Sequence, residues 1–188
     1  IQDAYYLNAF SKAYDHLAEK TSKQEMKRLL KQNAQSLVEG ELFIRQQFFK
    51  ELGIDDKEMA EQPIAPTCYH YISHIYRQFE EENVAIAFAS LLPCPWLYHD
   101  LGKALNLRPS PEVLYQKWIE TYITDELEQQ IKEETELVNQ LYSESDELDK
   151  KKMLEAFRIS VYMEAQFWEM AYQHQTWKST LQALEKGD

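Results

Sequence analysis

The chain has 188 residues, and 20 Lys and Arg against 32 Asp and Glu give a formal charge of −12. An acidic surface repels nucleic acid and anionic membranes, which argues against both as the main partner. Four glycines and six prolines are too few for a many-turned β-sandwich or barrel, and two cysteines give no disulfide framework.

The apolar period is close to 3.6 along most of the chain, and alternating β-type runs are absent. A first helix is expected to about Glu19, along a stripe of Tyr6, Phe10, Ala13 and Leu17. A second, from about Ser22 to Leu52, carries Met26, Leu30, Leu37, Ile44 and Phe48, with Gly53 suited to its C-terminal end. An acidic turn, Asp55–Glu61, and a proline-flanked loop lead to a third helix through Tyr71, Ile75 and Phe79. Asn83 is a cap for a fourth, which passes Cys94 and ends near Leu105. A fifth around Glu112–Tyr122 leads into a sixth to about Tyr142, and Ser143–Ser145 would cap a last long helix over Asp146–Trp177. The expected fold class is an all-α, single-domain helical bundle over 1–188, in a cytoplasmic protein.

Function is sought where polar residues break an inward seam. Asp3 heads the stripe of the first helix, and Glu41 falls between Leu37 and Ile44. Cys94 and Tyr98 share a line with Leu91, Leu101 and Leu105, while Glu164 sits between Val161 and Trp168. Each has a bland alternative: free Cys is commonly a core residue, and Asp3 at the chain start can simply be solvated. Pro93 and Pro95 flank the thiol, and an interior proline costs about 3 kcal/mol. Either a kink that exposes Cys94 to a cavity or a helix that starts late at Pro93 accounts for them. Tyr6, Tyr71, Tyr98 and Tyr122 lie on or beside inner faces, where a phenol offers both a flat face and a hydroxyl.

Other chemistries find little support. His70 and His74 are one turn apart without an E-x-x-H partner, and His99–Asp100 alone is no ligand pair. Nucleotide-loop, nucleophile-elbow and zinc-spaced patterns are missing, so no cofactor and no metal are expected. The Glu80–Glu82 and Glu133–Glu134 runs read as solvated faces.

Five blocks in order carry a family resemblance. They are Gln2-Asp3-Ala4-Tyr5-Tyr6-Leu7, the run Tyr69 to Tyr76, Leu91-Leu92-Pro93-Cys94-Pro95-Trp96-Leu97-Tyr98, the run Tyr115 to Tyr122, and Ser160 to Trp168. Through them the chain closely resembles TenA proteins, the thiaminase II or aminopyrimidine aminohydrolase family of thiamin salvage. The resemblance implies a heme-oxygenase-like bundle, a homotetramer, and a chain lacking the family's leading helical segment. It implies hydrolysis of 4-amino-5-aminomethyl-2-methylpyrimidine to the hydroxymethyl pyrimidine and ammonia, with thiamin cleavage as a related activity. By position it makes Cys94 the nucleophile and Glu164 the proton donor. Asp3 would bind the aminopyrimidine edge, and Tyr6, Tyr71, Tyr98 and Tyr122 would line and orient the ring. Arg45 stands where some members have histidine, near Glu41, and Cys68 is an extra thiol. A non-catalytic pyrimidine-binding or regulatory protein on the same fold is the alternative reading.

Overall fold

The computed structural model describes residues 1–178 and contains no strand among them. In chain order the helices are α1 (Gln2–Lys20), α2 (Gln24–Leu37), α3 (Phe43–Leu52), α4 (Asp56–Glu61) and α5 (Pro66–Glu81). They continue as α6 (Val84–Leu91), α7 (Pro93–Asn106), α8 (Val113–Glu120), α9 (Asp125–Glu144) and α10 (Glu147–Tyr172). A π-helical segment, Val38–Leu42, joins α2 to α3.

The apolar stripes of α1 and α5 are buried as their spacing requires, with Tyr6, Phe10, Ala13 and Leu17 facing Tyr71, Ile75 and Phe79 in one core. Helix α1 packs chiefly against α2 and α5, and α10 lies along α6 and α5. Asn83 caps α6, accepting hydrogen bonds from the amides of Ala85 and Ile86, and Gly53 closes α3 with a left-handed φ of 71°.

Several expectations change. The run expected as one helix over Ser22–Leu52 is interrupted by the π segment, which inserts a residue and turns Glu41 relative to an uninterrupted helix. The acidic stretch expected as a turn at Asp55–Glu61 is mostly the short helix α4, capped by Asp55. Helix α10 is capped by Asp146 rather than by Ser143–Ser145, since its carboxylate accepts from the amides of Leu148 and Asp149. The α10 seam is turned from the one expected: Met153, Ala156, Ser160, Glu164 and Phe167 are buried, while Leu154, Val161 and Trp168 are exposed. Glu134, read as part of a solvated face, is fully buried, because Tyr14, Asn33 and Gln130 all donate to its Oε1.

The two prolines find a simple account. The helical hydrogen-bond ladder breaks at Leu92, whose φ and ψ stay helical at −56° and −35°, and α7 restarts with Pro93 as its first residue. Pro93 and Pro95 therefore fall in a first turn, where amide donors are orphaned anyway, and little of the interior-proline cost is incurred. By length and composition Val84–Asn106 could cross a bilayer, but just over half of its apolar window is buried against other helices.

Candidate active site

Cys94 is the second residue of α7 and sits where α1, α5, α7 and α10 converge. Its thiol is buried and lies beside the carboxyl of Glu164, which is 2 % exposed. Burial raises the Glu164 pKa to about 7, and hydrogen bonding by Tyr71 and Cys94 offsets part of that rise. Buried Phe167 is part of its surroundings, whereas Val161 and Trp168, the residues between which the sequence places it, are exposed. The Tyr71 hydroxyl donates to Glu164 Oε1 at 2.7 Å, so one carboxyl oxygen is already engaged. Burial likewise raises the Cys94 pKa well above its ordinary value, with Glu164 and Glu41 adding to the effect. The thiol therefore rests protonated.

A narrow cleft opens on the other face of Cys94, lined by Asp3, Tyr6, Glu41, Tyr98, Tyr122 and Leu127 among others. Tyr6 stacks on Tyr71 at 4.7 Å between centroids, and Tyr98 lies 5.0 Å from Tyr122, so aromatic pairs stand at both sides of the thiol. The cleft holds only about 10 Å³ of open space, about one water molecule. A heteroaromatic ring enters only after the aromatic side chains part. Adjoining it is a cavity of about 460 Å³, whose walls include Gln32, Asn33, Ser36, Thr121 and Gln130. Glu41, Cys94, Pro95 and Leu127 line both spaces.

Asp3 does not stand alone. Arg45, 6 % exposed, donates from Nε to Asp3 Oδ2 at 2.5 Å and from Nη2 to the Tyr122 hydroxyl at 2.5 Å. Burial works against the guanidinium charge, but Asp3, Tyr122 and Glu41 outweigh it, leaving Arg45 more firmly protonated than usual. The Tyr122 hydroxyl in turn donates to Glu41 Oε2 at 3.1 Å, and burial raises the Glu41 pKa to about 7. His99 props the same tyrosine from behind: its Nδ1 lies 2.7 Å from the Tyr122 carbonyl oxygen, which can only accept, so Nδ1 carries the proton.

All seven expected site residues thus meet around one sulfur: Cys94, Glu164 and Tyr71 on one face, Asp3, Tyr98 and Tyr122 along the cleft, with Tyr6 between. Glu41 was singled out in the sequence as a polar break on the seam of the second helix and Arg45 as its neighbour, both without an assigned role. Their union with Asp3 and Tyr122 is tertiary and leaves no local signal. Cys68 is buried and free, with its pKa pushed up to about 12 chiefly by burial. Among the described residues no group of three or more His, Cys, Asp or Glu could hold a metal ion.

Comparison with known proteins gives a consistent answer. Residues 1–174 match the TENA/THI-4/PQQC family. The aminopyrimidine aminohydrolase of Bacillus subtilis strain 168 is 36 % identical over 180 residues, covering 96 % of this chain and 76 % of the relative. That of Staphylococcus carnosus is 30 % identical over 180 residues, covering 94 % and 78 %. Among solved structures, a TenA homologue from Pyrococcus furiosus superposes with a TM-score of 0.83 at 19 % identity, covering 91 % of this chain and 80 % of the other. One from P. horikoshii gives 0.81 at 21 %, covering 92 % and 79 %; these likenesses speak to the fold.

Proposed function

Because the chain belongs to the TENA/THI-4/PQQC family, we propose that it is an aminopyrimidine aminohydrolase that uses Cys94 as nucleophile and Glu164 as proton carrier. The substrate of the reading is 4-amino-5-aminomethyl-2-methylpyrimidine, with thiamin as a second substrate cleaved at the same exocyclic carbon. The observation that carries it is the meeting of a buried thiol and a buried carboxyl, whose pKa burial raises to about 7, on one side of an aromatic cleft.

The chemistry follows from the proton count. Adding an S–H across the ring's C6=N1 bond puts sulfur on carbon and one proton on N1. Glu164 mediates that transfer: its acid proton goes to N1 while its carboxylate takes the proton of Cys94, so the carboxyl ends as it began. Asp3 Oδ1, left over once Oδ2 is tied to Arg45, accepts from the ring's amino group. Tyr6 and Tyr98 flank the ring, and Tyr71 and Tyr122 hold the two carboxyls that face it. Addition converts the ring into an electron-rich enamine, which expels the amine and leaves an exocyclic methylene for water to capture. Reversal of the first step then frees the thiol.

Ammonia release from the aminomethyl pyrimidine tests this reading. Cys94→Ser is expected to lower it at least about 10³-fold, whereas Cys68→Ser retains most of the rate. Retained turnover in the Cys94 variant overturns the mechanism. The alternative, a non-catalytic pyrimidine-binding protein, instead predicts thermal stabilisation by the pyrimidine with no product from the wild type.

The same reading places the protein in the cytoplasm as a homotetramer, with small molecules rather than nucleic acid or membrane as partners. Support for assembly comes from the exposed Leu154, Tyr162 and Tyr172 on α10, apolar surface that a partner subunit would cover. Light scattering that returns a monomer at micromolar concentration removes the tetramer.

A further inference from the structure

The mechanism leaves one proton unassigned. Glu164 serves the thiol and the ring nitrogen, yet the water that captures the exocyclic methylene must also lose a proton. The cleft, about 10 Å³ before the aromatic side chains part, opens for the ring itself, whereas the adjoining cavity of about 460 Å³ has room for water. Of the four residues that line both spaces, Pro95 and Leu127 cannot exchange a proton and Cys94 is consumed as the nucleophile. Glu41 remains.

We propose that Glu41 is the general base of the second half-reaction, taking a proton from the water that enters through the larger cavity. This deepens the aminopyrimidine-hydrolase reading and rests on it. The ammonium form of the substrate leaves as ammonia when the C–N bond breaks, its electron pair going to nitrogen. Water oxygen then bonds to the methylene carbon and passes a proton to the Glu41 carboxylate. That proton later leaves with ammonia as ammonium, so alcohol and ammonium balance the ammonium substrate plus water.

The geometry suits the task. The π segment Val38–Leu42 carries Glu41, and segments of this kind recur at functional sites. Tyr122 donates to Oε2, and among the described residues no hydrogen bond to Oε1 is found, which leaves that oxygen to the water. The structural alternative, a plain ion pair with Arg45 four residues on, is weak: Nη2 lies 3.7 Å from Oε2, while Arg45 holds Asp3 and Tyr122 at 2.5 Å each. The side chain is 23 % accessible and lies along the walls of these two spaces. Burial leaves it with a pKa of about 7, which suits a base working near neutrality.

Glu41→Gln, compared with wild type on thiamin, tests the assignment. The expected result is a burst of about one equivalent of thiazole per site, followed by steady hydrolysis lowered at least about 10²-fold. Pyridine, a nucleophile with no proton to lose, should restore most of the thiamin turnover. Loss of the burst along with turnover, in a variant that still binds the hydroxymethyl pyrimidine, overturns the proposal, as does an undiminished steady rate. A wild type that cleaves neither thiamin nor the aminomethyl pyrimidine instead removes the hydrolase reading itself.

Discussion

Tyr71 sets how acidic Glu164 is. Its hydroxyl donates to the carboxyl at 2.7 Å and pulls down a pKa that burial has raised to about 7. Tyr71→Phe removes that restraint, so the carboxyl stays protonated to higher pH. The alkaline limb of the ammonia-release profile should move upward, and a limb that stays put would separate Glu164 from the proton transfer. Glu164→Gln should lower turnover about 10²–10⁴-fold and abolish that limb. Legibility at this scale divides by how a residue is tied down. Cys94, Tyr6 and Tyr71 could be read from helical spacing, because their own helices dictate which way they point. Glu164 was identified beside the wrong neighbours, since the inner line of α10 runs through Ser160 while bulky Trp168 and Tyr162 face outward. The link from Arg45 to Asp3 joins residues 42 positions apart and could not be read locally.

The helices impose tighter tolerances than the side chains suggest. A Cβ added at Gly102 on α7 would lie 2.9 Å from the Cβ of Tyr122 and 3.1 Å from Ile123 Cγ2. Gly102→Ala must therefore push α7 away from the turn that ends α8. A loss of about 1–3 kcal/mol in denaturant melts is expected, together with a raised KM as Tyr122 moves off the cleft. An alanine that leaves both unchanged would show that this contact does not position Tyr122. Gly40, in the π segment, has nothing within 4 Å of an added Cβ. Gly40→Ala should accordingly stabilise the fold by up to about 1 kcal/mol. Capping by Asn83 and Gly53 was readable because each needs only its own few residues. The π segment was not, because Val38–Leu42 keeps an ordinary helical composition and the inserted residue shows only when α2 and α3 are both packed.

Three carboxyls in the interior, Glu41, Glu134 and Glu164, each have a pKa raised from 4.5 to about 7, chiefly by burial. The folded protein holds these protons more tightly than the unfolded chain does. Their contribution to stability is complete below about pH 4.5 and is lost as pH climbs to about 7. The melting temperature should thus fall between pH 5 and pH 8, and Glu134→Gln, away from the thiol, should flatten that slope; an unchanged slope would refute it. The all-helical class and much of the core were legible at this scale, since periodicity is a whole-chain signal. Seven expected helices became ten among the described residues, as the second and fourth divided and the acidic turn coiled into α4. Buried Glu134 was hidden by its acidic neighbours, and only three partners from α1, α2 and α9 explain it. The near-closed cleft reaches beyond catalysis. If only a fraction of molecules is open at any instant, the measured dissociation constant exceeds the intrinsic one by the inverse of that fraction. That penalty falls on the pyrimidine and not on small thiol reagents, because Cys94 also borders the larger cavity, which they reach without the aromatic side chains parting.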